Sequence, residues 1–208
     1  MLSSARKLPE PPRKATYQDV LDAPENMVAQ LIDGELYLHA RPVVPHVFAA
    51  AKLFAAIEMR YAFDSLGDGN GGGFGPEDWM ILPEPELRLG KDVLVPDIAG
   101  WRANKYQRNW ANSFSEVVPN WVCEVLSRTT RNIDLGRKSD IYAREGVTHL
   151  WIVDPDARTL QASALSAGSW LPIATLSEAE TVSVPPFEKL NIPLSRHWVG
   201  GPLWPYSG

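Results

Sequence analysis

The sequence predicts an α/β protein, a mixed β-sheet flanked by helices, and three observations carry that expectation. An apolar run, WVCEVL at 121–126, is followed by polar helix-forming sequence and then by a second apolar run, THLWIVDP at 148–155. Strand, helix, strand in that order implies a parallel pair joined by a crossover. PHVFAAAKLFAAIEMRYAF, at 45–63, carries apolar residues near 3.6-residue spacing, so a long buried helix is expected there. WMILPEP, ELRLGKD and VLVPDIAGW, between 79 and 101, are short β-prone runs split by Pro and Gly, the pattern of an antiparallel meander.

Taken in order, residues 1–15 read as a basic, Pro-rich flexible tail, residues 16–180 as the domain, and residues 181–208 as a C-terminal extension packed on it. Thr16 can cap a short helix, TYQDVLDAP, which Pro24 ends. QLIDGELYLHA reads as two strand arms around Asp33-Gly34, a hairpin-turn dipeptide. Pro45 suits the first turn of the long helix, with Val47, Ala50/Ala51, Phe54 and Ile57/Glu58 on its inner face. GDGNGGGFG, at 67–75, lacks the strand and helix contexts of a phosphate-binding glycine loop and reads as a strand connection. NKYQRNWANSFS, at 104–115, is a polar connection. Thr129 or Thr130 can cap the helix that carries Asp134 and Lys138 and ends near Gly146. TLQASAL and SWLPIATL form a further hairpin, and the Pro-rich sequence from Val182, with Trp198 and Trp204, wraps the surface.

The 208 residues suit one domain, and 45% hydrophobic content with eight Trp is enough for a core. No apolar run approaches the roughly 18 residues of a membrane span, and MLSSARKLPEPPRK lacks the apolar core of a signal peptide. A single cysteine excludes an internal disulfide and a multi-Cys zinc site, so the cytoplasm is the expected location. The net charge of −5 argues against a nucleic-acid partner, but residues 101–144 hold 8 Lys and Arg against 4 Asp and Glu. A basic segment attracts phosphate even on an acidic protein; its plainer reading is a solvated polar face.

That basic segment contains the most informative acid. On a strand Trp121, Cys123 and Val125 share one face, and Val122, Glu124 and Leu126 the other. Glu124 is therefore bracketed by aliphatic neighbours, where an ionised carboxylate costs several kcal/mol unless a positive group joins it. Lys138, spaced to meet Leu135, Ile141 and Tyr142, points at the same core. Asp97, after Pro96, ends the run VLVPD. Two carboxylates on neighbouring strand ends make a hard oxygen site of the kind Mg2+ or Mn2+ accepts, and a lysine beside them suits phosphodiester hydrolysis. Plainer readings stand beside this one. Asp97 can simply end a strand, Glu124 can pair with Arg128 or Arg137, and Asp134–Lys138 can be a surface i,i+4 ion pair. Glu35 can flank a turn, and His46 can pack at a helix start.

The string PD at 96–97, an acid in an apolar strand and then a lysine resemble the PD-(D/E)xK nuclease superfamily. The usual lysine position, two residues after the second acid, holds Leu126 here. EVLS at 124–127, the D…K…Y of Asp134, Lys138 and Tyr142, and GV…WIVDP from Gly146 to Pro155 resemble the Uma-two family of restriction-endonuclease-like proteins. LIDGEL at 31–36, His46 and PEPEL at 83–87 are similar to that family as well, and the likeness covers roughly residues 16–165. The resemblance implies a restriction-endonuclease-like mixed sheet and a Mg2+- or Mn2+-dependent endonuclease acting on DNA. It makes Asp97 and Glu124 metal ligands, Lys138 a catalytic lysine moved onto the helix, and Glu35 a further catalytic acid. A homodimer would serve an enzyme that cuts both strands. The competing expectation is a non-catalytic nucleic-acid-binding or protein-interaction module with an exposed Trp-rich C-terminus.

Overall fold

The computed structural model describes residues 13–61, 79–102, 104, 112–178 and 180–200. Most of the N-terminal tail, the glycine-rich stretch at 67–75, most of the polar connection at 104–115 and Trp204 lie outside the described residues.

After α1 (Tyr17–Leu21), strands β1 (Met27–Ile32) and β2 (Glu35–Ala40) pair as the expected hairpin, with Ile32 opposite Glu35. Asp33 and Gly34 supply the two positive φ angles, 52° and 83°, that such a two-residue turn requires. Helix α2 (Val44–Tyr61) buries His46, Ala49, Leu53 and Ile57. The expected inner face is corrected by about one residue, because Val47 is exposed. Alanine at 49–51, 55 and 56 makes the helix apolar nearly all round, so periodicity does not fix which face turns inward.

The stretch 79–102 is not one meander. Strands β3 (Trp79–Pro83) and β6 (Ile98–Arg102) pair with each other, whereas the hairpin β4 (Glu86–Leu89) and β5 (Asp92–Leu94) between them joins β1. With β7 (Phe114–Ser115) this gives a five-stranded sheet of order β2-β1-β5-β4-β7. The larger sheet adds β8 (Trp121–Val125), β9 (His149–Asp154), β10 (Thr159–Ser166) and β11 (Ser169–Ser177) in the order β11-β10-β9-β8-β6-β3. Only β8 and β9 run parallel in it, as the strand–helix–strand order requires. The crossover consists of α3 (Arg131–Ile133), a π-turn (Asp134–Lys138) and α4 (Ser139–Glu145), closed by Gly146 at φ 85°.

The alternation of β8 divides the core. Trp121, Cys123 and Val125 pack with α2, and Val122 and Leu126 pack with α4 and the smaller sheet. The C-terminal segment, with β12 (Thr181–Val182), β13 (Ile192–Pro193) and the 3-10 turn Leu194–His197, enters the first of these cores through Phe187, Leu190, Leu194 and Trp198. Trp198 is buried, which corrects the exposed surface expected for it. Among the described residues no helix is long and apolar enough to cross a membrane.

Candidate active site

Glu124 lies on the face of β8 that looks toward the crossover helix, and it is 1% exposed. Neither Arg128 nor Arg137 meets it. Its partners are the Lys138 ammonium, 2.8 Å away, and the Tyr142 hydroxyl, which donates at 2.6 Å. Lys138 is as buried as the acid. Its Nζ also donates to the Val95 carbonyl at 3.2 Å and lies 3.2 Å from Asp134 Oδ1. The π-turn makes this possible: its wider winding turns Asp134 and Lys138 inward together and leaves Leu135 exposed. The Asp134–Lys138 pair is therefore a core contact and not a surface one, and Leu135 is not part of the frame around the lysine.

Asp97 follows Pro96 and immediately precedes β6. The register that sets Ile98 opposite Cys123 places Asp97 opposite Glu124, one step beyond the ladder. Its Oδ2 accepts the Val125 N–H at 2.6 Å, and its Oδ1 is 3.1 Å from His46 Nε2. Asp97, Glu124 and Lys138, with His46 and Asp134, all line one cavity of about 520 Å³. Arg41 and Arg128 stand among the residues at its walls. Glu35 does not join them. It is exposed on β2, where it accepts from Arg137 at 2.7 Å and from the Tyr37 hydroxyl at 2.6 Å.

The electrostatics follow from this crowding. Burial pushes the Glu124 carboxyl up to about 8, with Asp134 and Asp97 adding to the rise against the pull of Lys138. Burial alone would lower Lys138, but Glu124, Asp134 and Asp97 outweigh it and hold the ammonium's pKa above its usual range. The neighbouring carboxylates push both groups the same way, adding to burial at Glu124 and overcoming it at Lys138. His46 would also be lowered by burial, and its bond to Asp97 reverses the direction. The Cys123 thiol is pushed well up by burial, which keeps it inert.

A divalent cation suits such a surplus of negative charge. Among the described residues no three His, Cys, Asp or Glu side chains converge as a ligand set. Magnesium commonly takes one or two carboxylates and fills its remaining positions with water and phosphate oxygens. Asp97 and Glu124, opposed across two strand ends beside an open cavity, fit that pattern.

Three neighbours of the cluster carry signals in the sequence that favour a site. Asp134, Lys138, Ile141 and Tyr142 share a helical face, and Tyr142 places a hydroxyl on the acid besides filling core. His46 puts a titratable ring at a helix N-terminus, where a cation is disfavoured by the dipole.

The fold defines a class, mixed-sheet α/β proteins with a helical crossover between the parallel strands β8 and β9. The structure is similar to the crystal structure of a putative nuclease belonging to DUF820 from Anabaena variabilis ATCC 29413, with a TM-score of 0.69 over 88% of this chain and 96% of that one. At 18% identity, what the two share is the fold. Residues 15–195 match the family Uma2, described as "Putative restriction endonuclease", and the chain belongs to that family. No curated protein matches the sequence.

Proposed function

We propose that this protein is a magnesium- or manganese-dependent endonuclease that hydrolyses phosphodiester bonds in DNA. The observation that carries the reading is the meeting of Asp97, Glu124 and Lys138 at one cavity, with the lysine 2.8 Å from the acid. Asp97 and Glu124 would hold the cation. When bound, it supplies Lewis-acid chemistry, offsetting charge on the scissile phosphate and making water a stronger nucleophile. Lys138 aims Glu124 and pulls it toward its ionised form against the effect of burial, and its ammonium adds positive potential where the phosphate gathers charge. Tyr142 fixes the other side of the Glu124 carboxylate. Arg41 and Arg128 at the cavity walls attract the phosphate backbone; the Arg128 side chain is 90% exposed and pairs with Asp156 at 3.4 Å.

One observation favours a second reading. Both oxygens of Glu124 already accept from Lys138 or Tyr142, as in a purely structural polar cluster. A module that binds DNA without cutting it would show salt-dependent binding indifferent to chelator.

Plasmid nicking separates the two. The wild type is expected to nick supercoiled DNA with Mg2+ and to stop in chelator, and Asp97→Ala and Glu124→Ala are expected to lose about 100-fold or more. Equal residual cleavage in all three proteins would defeat the endonuclease assignment.

A further inference from the structure

We propose that His46 is a positioning residue, which holds the Asp97 carboxylate facing the cavity; this rests on the reading of Asp97 as a metal ligand. The first turn of α2 inverts the usual arrangement. Val44 and Val47 face solvent at 71% and 48% exposure, while His46 between them is 6% exposed. A helix start that only needed packing would turn the valines inward and leave the imidazole in water. The reason for the inversion lies across the gap. His46 Nε2 is 3.1 Å from Asp97 Oδ1, and the Val125 N–H holds the other oxygen, Oδ2, at 2.6 Å.

These two bonds come from different elements, α2 and β8. Together they stop the carboxylate from turning. With the Val125 N–H alone, the group could swing about that single contact and lose its register with Glu124. His46 also leaves its Nδ1 buried with no hydrogen-bond partner among the described residues. A polar ring costs more to bury than an apolar side chain, so an apolar residue would serve better if filling space were the only task. Its burial at this point in the fold is explained by what Nε2 does for Asp97.

The test uses the full chain and Mn2+ alone as probe, with affinity read by electron paramagnetic resonance without DNA, and Mg2+-dependent nicking in parallel. His46→Ala is expected to weaken Mn2+ binding and cleavage about 10- to 100-fold, the usual effect of losing a residue that orients a ligand. His46→Gln, whose amide nitrogen reaches the place of Nε2, is expected to recover most of that loss. His46→Asn, one methylene shorter, is expected not to. Should His46→Ala fail to fold, the Gln and Asn pair still decides the matter. Wild-type Mn2+ affinity in His46→Ala, or equal losses in Gln and Asn, would overturn the proposal alone. A wild type that neither binds Mn2+ nor nicks DNA would overturn it together with the nuclease reading.

Discussion

Glu124 is held in place by two donors and still lacks enough positive charge around it. Lys138 touches both Glu124 and Asp134, and Asp97 stands close enough to add to their repulsion. The raised pKa of Glu124 has a consequence for stability. In the unfolded chain this carboxyl titrates near 4.5, and in the folded metal-free protein near about 8. Between those values the folded state holds the extra proton, so stability is highest at the acid end and falls as pH rises. Scanning calorimetry in chelator is expected to show the wild-type melting temperature declining from about pH 4.5 to about 8 on this account. Glu124→Gln, which bonds but does not ionise, is expected to lose much of that decline. Identical slopes in the two proteins would mean that the acid is already balanced by Lys138. The alternation of β8 alone shows that this acid is enclosed. Its partners are not legible in that alternation, because Lys138 and Tyr142 reach it only through the turn of a separate helix.

The elements that carry the cluster differ in how tightly they are packed, and two glycines expose the difference. Gly100 lies in β6, and a Cβ there would stand 2.9 Å from Ile81 Cδ1, 3.1 Å from a Trp121 ring atom and 3.2 Å from one of Trp79. Gly136, inside the π-turn, would place a Cβ with no atom within 4 Å. Gly100→Ala is expected to destabilise by about 1–3 kcal/mol through overpacking. Gly136→Ala is expected to be neutral or to stabilise by up to about 1 kcal/mol, through a stiffer unfolded chain. Denaturant melts of both variants check this, and a loss at Gly136 as large as at Gly100 would contradict the open environment of the π-turn. Element existence was readable in the sequence: the Asp33-Gly34 hairpin, the crossover ending at Gly146 and the β10–β11 hairpin all form where turn and cap residues place them. Partner choice was not. The run 79–101 alternates and breaks as a meander does, yet the β4–β5 hairpin leaves for the other sheet through the pairing of Val93 with Leu31. The π-turn has no signature in propensity, so the face that Asp134 shares with Lys138 and Tyr142 hints at a site without showing how deeply the acid is buried.

At the scale of the whole molecule, the site sits between two cores. Phe187, from the C-terminal segment, packs its ring within 4.8–5.5 Å of Trp79, Trp121 and Trp151, so that segment belongs to the core under β8. The sequence leads one to expect packing on the domain but not entry into its core, because this Pro-rich segment has neither helical nor strand period. The other core, with α4 and the smaller sheet, carries Tyr142 and brings Lys138 to the same strand from the opposite side. Asp97 and Glu124 thus stand at strand ends stiffened by both cores, with α2 supplying His46 from one flank and the π-turn supplying Lys138 from the other.

The most direct measurement is anomalous diffraction from crystals of the full chain soaked in Mn2+. One peak is expected in the cavity, within about 2.0–2.4 Å of oxygens of both Asp97 and Glu124. A cavity without such a peak at saturating Mn2+, or a cation bound elsewhere while these carboxylates keep only Lys138, Tyr142, His46 and the Val125 N–H, would contradict the account.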